Sequence, residues 1–224
     1  MTKLNWFNKV LSYVLPVKIE EAESPQNGHL ELLLYNGRII LNSQHANYSF
    51  DSLHRVFRQA LWHVGIEEKK NLEHVLILGF GIGSIAHILR EEMHLDCKII
   101  GVEHDPIILK WAKDYFSYSR DKDIEIADFE ANEFINTSKD SFDLICVDLF
   151  KDTEIPEFLF EEQTVRRLRS LLKKNGSLIV NTMLSEEEAE RLLETYRKEL
   201  PEAYLKKFSE GNRVLFFVEE GVQS

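Results

Sequence analysis

The loop Gly79-Phe80-Gly81-Ile82-Gly83 follows the apolar run Val75-Leu76-Ile77-Leu78 and leads into Ser84. Glycine lets a backbone turn tightly and leaves no Cβ in the path of a ligand. The helix start beyond adds free N–H groups and a positive field. Strand, GxGxG loop and helix, in that order, predict a nucleotide-type site. Three acids stand where later apolar runs end: Glu103, Asp128 and Asp148. Glu103 occupies the place of a carboxylate that accepts hydrogen bonds from two ribose hydroxyls; its plain alternative is a solvated strand-end glutamate. Asp128 can accept from an adenine amino group, cap a helix beginning near Phe129, or do both. Asp148 faces the reactive end, where it can orient a nucleophile or act as a base, unless it is simply a strand-terminal acid. Asp105 can touch a ligand or cap the helix that Pro106 opens. His104 reads as a pocket wall and not as a catalyst.

Positioning these groups requires a sheet. Residues 75–78, 98–103, 124–126, 142–149 and 177–181 read as strands, alternating with helical stretches at 84–93, from Pro106, 160–172 and from the capping box at Ser185-Glu186-Glu187-Glu188. Asn175-Gly176 reads as a helix stop. Residues 205–208 and 213–218 read as a closing hairpin that breaks the alternation. The pattern predicts a Rossmann-like, doubly wound α/β fold with a mostly parallel seven-stranded sheet and one antiparallel strand at its end. Upstream, residues 20–28 read as a polar loop. Asn36-Gly37 between two apolar runs predicts a hairpin, and residues 50–64 carry apolar groups at helical spacing. Two units follow: a small β-rich one over 1–49 and the ligand-binding one over 50–224.

Composition narrows the classes. The chain has 224 residues, 44% hydrophobic and 29% charged, with net charge −11, and this acidity argues against a nucleic-acid backbone as partner. Cys97 and Cys146 sit inside apolar runs and read as buried reduced thiols. His45, His54, His63, His74, His87, His94 and His104 show no metal-ligand pairing with acids or cysteines, so no metal is expected. No apolar run reaches the roughly 20 residues of a membrane span. The apolar segment over 6–16 lacks a cleavage site and reads as a short helix packed on its own domain or on a twin subunit. A cytoplasmic protein, with a homodimer left open by that apolar segment, is the expectation.

The ordered motifs Val75 to Gly83, Val102-Glu103-His104-Asp105, Ala127-Asp128-Phe129-Glu130 and Phe142 to Asp148 resemble the class I methyltransferase fold, and within it the spermidine synthase group. Leu159-Phe160, residues 168–172, Gly176-Ser177-Leu178, the hairpin with Gly37, and Tyr48 extend the resemblance over roughly residues 30 to 185. It implies an S-adenosylmethionine ligand, or its decarboxylated form, held by Gly79, Gly81, Gly83, Glu103, His104, Asp128, Phe129 and Asp148. Gly79, Gly81 and Gly83 would line the methionine portion, Glu103 the ribose and Asp128 the adenine, with Asp148 as the catalytic candidate.

The chain departs from that group in three places. Ile82 stands where the group has an acid that binds the amine of the decarboxylated ligand, and an apolar side chain cannot hold an ammonium in a dry pocket. Lys151 stands where the second of two acids is expected after the fourth strand, with Asp152 one residue further. Ala46-Asn47 replace an acidic pair before Tyr48. The sequence reading therefore expects a methyltransferase acting on a small acceptor. Its alternatives are an aminopropyltransferase acting on a diamine and a non-catalytic binding protein that keeps the fold. A nicotinamide dehydrogenase fits the GxGxG spacing and the closing hairpin less well.

Overall fold

A computed structural model describes residues 6–43, 50–69, 72–115, 122–150, 155–208 and 212–219. Tyr48, Ala46, Asn47, Lys151 and Asp152 lie outside the described residues.

The strand β4 (His74–Leu78) runs parallel to β5 (Lys98–Glu103) on one side and β7 (Phe142–Val147) on the other. Beyond them lie β6 (Ile124–Asp128), β8 (Leu172–Asn181), β9 (Tyr204–Lys207) and β10 (Arg213–Val218), in the order β6-β5-β4-β7-β8-β10-β9. Among the described residues this is one seven-stranded sheet. β10 is antiparallel to both β8 and β9. The antiparallel strand thus lies one place in from the edge and not at the end, because the hairpin returns the chain between β8 and β9.

Successive residues of a strand face opposite ways, and β4 buries both faces. Val75 and Ile77 pack with Phe57, Leu61 and Ile85 from α2 (Phe50–His63) and α3 (Ser84–His87). Leu76 and Leu78 pack with Ile135, Leu168 and Leu192 from α5 (Ala131–Thr137), α6 (Glu162–Leu171) and α7 (Glu186–Arg197). α3 continues as a wider π turn over Ile88–Glu92. The stop signal Asn175-Gly176 falls inside β8, where a register irregularity lets Leu172 pair with Phe142 before Ser177 pairs with Leu144. Both cysteines are buried and free.

Ser185 and Glu188 form the capping box of α7. Inside that helix Tyr196 is fully buried, and its hydroxyl has no hydrogen-bond partner among the described residues. An orphaned buried hydroxyl costs about 1–3 kcal/mol. Removing it with Tyr196→Phe is expected to stabilise the fold by about 1 kcal/mol, a rise of roughly 2–4 °C in Tm. Calorimetry checks this, and an unchanged or lower Tm would contradict it.

Among the described residues the N-terminal sheet has three strands: β1 (Val17–Ser24), β2 (Gly28–Tyr35) and β3 (Arg38–Ser43). The expected loop over 20–28 is corrected here, since residues 20–24 complete β1 and pair with β2. A bulge between Lys18 and Glu20 and the run of glutamates mask its alternation. Glu20 accepts hydrogen bonds from Trp111 Nε1 (2.8 Å) and Tyr115 Oη on α4 (Pro106–Tyr115). Ile19, Leu30, Leu32 and Leu34 pack on Ile108 and Trp111 of the same helix, so α4 joins the small sheet to the large one. The N-terminal helix α1 (Trp6–Leu11) leaves Trp6, Phe7 and Val10 exposed, while Ser12 just beyond it is buried and bonds the backbone N–H groups of Asn36 and Gly37. Among the described residues, no helix is long and apolar enough to cross a membrane.

Candidate functional site

Beyond the carboxyl ends of β4, β5 and β7, where such sheets hold their ligands, the glycine loop folds back across β5. Gly79 and Phe80 donate their backbone N–H groups to the Val102 carbonyl at 3.0 and 2.9 Å. Gly81, with φ +55 and open space where a Cβ would project, donates its N–H to Glu103 Oε2 at 2.9 Å. The other Glu103 oxygen accepts from the N–H groups of His104 (2.9 Å) and Asp105 (3.0 Å). One carboxylate thus pins the glycine loop to the end of β5. A carboxylate offers about four acceptor positions, and three are used, so an approaching hydroxyl finds a place. Burial raises the Glu103 pKa against the pull of those three N–H groups.

Two adjoining hollows meet at Gly79, Glu103, Asn27, Leu149 and Phe150. One extends past His104, Phe129, Ile155 and Phe158, with Glu130 and Glu157 also in its lining. The other runs past Gly81, Ile82 and Ser84 to Asp148. Asp148 sits just after β7, with its N–H bonded to the Leu78 carbonyl and its Oδ1 accepting from Asn181 Nδ2 at 3.0 Å. Burial, with the nearby charge of Glu103 adding to it and Asn181 opposing it, pushes the Asp148 carboxyl up to about 6. An acid with that pKa is half ionised at a mildly acidic pH and can exchange a proton near neutrality.

The sequence-predicted residues divide. Gly79, Gly81, Glu103, His104, Phe129 and Asp148 line the cleft. Gly83 shapes the turn instead: with φ +88 it precedes α3, and its N–H bonds the Phe80 carbonyl. Asp128 stands beside His104, its carboxylate 3.7 Å from Nδ1 and largely exposed. Its expected capping role is corrected, because α5 starts at Ala131 and the capping side chain is Glu130, which accepts from the Asn132 N–H. Asp105 takes the capping role, accepting from the N–H groups of Ile107 (2.8 Å) and Ile108 (3.2 Å).

Sequence reasoning missed three groups. Ser24 and Asn27 hydrogen-bond the other oxygen of Asp105 and so fasten the β1–β2 turn to the cleft. Asn181 braces Asp148. These contacts span 81, 78 and 33 residues, beyond the reach of any local pattern.

A doubly wound sheet with a glycine loop bonded to a strand-end glutamate defines a class I, S-adenosylmethionine-type fold, and solved structures share it. The human methyltransferase-like protein 13, solved with S-adenosylhomocysteine, superposes with a TM-score of 0.65 at 20% identity, covering 77% of this chain and 84% of that one. The spermidine synthase of Thermotoga maritima gives 0.64 at 19%, covering 91% and 73%. Residues 54–208 match the spermine/spermidine synthase domain, and the chain belongs to that family. A probable polyamine aminopropyl transferase of Bifidobacterium longum is 31% identical over 111 residues, 50% of this chain and 24% of that protein. A polyamine aminopropyltransferase of Lachnospira eligens is 25% identical over 166 residues, 72% and 54%. The chain therefore spans about a quarter to a half of the length of these relatives.

Proposed function

We propose that the chain transfers an aminopropyl group from decarboxylated S-adenosylmethionine to a small amine. The carrying observation is the carboxyl of Asp148, set at the end of a cleft whose middle is the Glu103 cradle, in a chain whose relatives are named for that transfer. The sequence expectation of methyl transfer gives way to this reading on the strength of the family match.

In this reading Glu103 accepts the ribose hydroxyls, and His104 and Phe129 wall the adenine. The bound ligand supplies a sulfonium whose adjacent carbon is electrophilic. The incoming amine nitrogen bonds that carbon, and the carbon–sulfur pair passes to sulfur, which leaves as a neutral thioether. The chain's own work is to align the amine and take the proton that its nitrogen must lose. Asp148 serves both ends when ionised, steadied by Asn181.

Turnover of decarboxylated S-adenosylmethionine with putrescine tests the proposal. The rate is expected to rise with pH through about 6, where Asp148 ionises, falling about tenfold per unit below it. No turnover at high enzyme concentration would overturn the proposal. Methyl transfer is the second reading, favoured by Ile82 at the cleft wall where the resemblance expects an acid. Calorimetric titration separates the two, since tighter binding of intact S-adenosylmethionine supports methyl transfer.

A further inference from the structure

Beneath the glycine loop lies a polar chain that the transfer step does not use. His54, on α2, is 1% exposed. Its Nδ1 lies 3.2 Å from Ser84 Oγ, and its Nε2 is hydrogen-bonded to Glu92 Oε1. Arg58 reaches the other Glu92 oxygen at 3.5 Å. Ser84 is the first residue of α3 and lines the cleft between Ile82 and Asp148.

We infer that Ser84 is a binding residue for the ammonium of the S-adenosyl ligand, with His54 and Glu92 as the positioning residues that turn its hydroxyl into an acceptor. This deepens the proposed function and rests on it. An ionised Glu92 only accepts, so the bond to His54 Nε2 requires a proton on that nitrogen. A neutral imidazole then carries a bare Nδ1, which can only accept. The bond between Nδ1 and Ser84 therefore uses the serine proton, and the lone pairs of Oγ are what remain for the cleft. Burial holds the His54 imidazole below its ordinary value against the pull of Glu92, which keeps it in this neutral form.

An oxygen whose proton is committed elsewhere repels a carboxylate and accepts from a cation. It supplies what Ile82 cannot, a polar group for the amine that intact and decarboxylated S-adenosylmethionine share. The relay fixes the direction at a site where the start of α3 by itself would favour an anion.

Three ligands test the inference by calorimetric titration: S-adenosylmethionine, its decarboxylated form, and methylthioadenosine, which keeps the adenosine and sulfur but lacks the aliphatic ammonium. Ser84→Ala is expected to weaken both amine-bearing ligands at least about tenfold, the scale of a hydrogen bond to a charged group, with methylthioadenosine within about twofold. Ser84→Thr, which keeps the hydroxyl, restores most of the affinity. His54→Phe gives a partial loss confined to the amine-bearing ligands, in protein shown folded by circular dichroism. Equal losses for all three ligands, or none, overturn the inference while leaving the proposed function standing. Failure of the unaltered chain to bind any of the three overturns both.

Discussion

Glu103→Gln should weaken the S-adenosyl ligand by about a hundredfold or more. The side chain has two tasks that glutamine cannot perform together. One oxygen accepts from Gly81, and the other from His104 and Asp105. An amide has one acceptor oxygen, so its NH₂ must face an N–H on one side. Either the glycine loop loses its anchor or the end of β5 does, at about 1–3 kcal/mol for each unsatisfied donor. On the proposed reading, in which Glu103 accepts the ribose hydroxyls, the ribose then loses a charged acceptor, worth about 1.5–3 kcal/mol. Either loss alone gives tenfold to a hundredfold, and the two act at the same carbon, so a hundredfold is the lower figure. Titration with S-adenosylmethionine and with its decarboxylated form measures it, and a change below threefold would remove Glu103 from the site. The pH dependence has a defined sign. Burial raises the folded-state pKa of Glu103 above its unfolded value. The folded protein thus holds the proton longer, and this group's contribution to stability falls as pH rises between the two values. A ligand that needs the ionised form should stabilise the protein more with rising pH over that window, and the glutamine variant should lose that slope.

What the sequence made legible is what lies close along the chain. Val75 to Ser84 announces its own strand, turn and helix because each residue type has a local physical cause: apolar run, φ-permissive glycine, helix start. Ser185 and Glu188 announce α7 in the same way, and Pro106 announces the cap that Asp105 supplies. Asp128 and Glu130 are both acids ahead of α5, so local pattern does not choose between them as its cap, and only the chain's path selects Glu130. β1 defeats an alternation rule because the charged Glu20, bonded to Trp111 and Tyr115, reaches α4 alongside its apolar neighbour Ile19 across the bulge. The supports of the site were invisible for another reason. Ser24 and Asn27 meet Asp105, and His54 meets Ser84, only after strands and helices that are unrelated in sequence have packed. Residue types can nominate the groups that face a ligand, but the groups that hold them in place are set by tertiary packing.

Gly79→Ala should be the most disruptive small substitution in the cleft. Gly79 has φ +84, and a Cβ there would meet the Asp148 carbonyl oxygen at 2.2 Å and its carbon at 2.8 Å. Both are backbone atoms at the end of a buried strand, so neither yields as a flexible side chain would. Two costs add: left-handed strain of about 1–2 kcal/mol and overpacking of about 1–3 kcal/mol. A loss near 3 kcal/mol follows, or roughly 6–12 °C in Tm for a chain of this length. Gly65 separates the two terms. It has φ +63 and open space around its Cβ position, so Gly65→Ala carries strain without collision and should cost about 1 kcal/mol. Denaturant unfolding of both variants gives the difference. Equal costs would show that the approach of β4 to the end of β7 is looser than 2.2 Å implies. A large difference carries a functional corollary, because the atom that Gly79 makes room for is the carbonyl of Asp148. Widening that gap moves the catalytic candidate away from the glycine loop, so Gly79→Ala should lose turnover even in the fraction that stays folded. The absent side chain at position 79 sets the distance between the glycine loop and the backbone of Asp148.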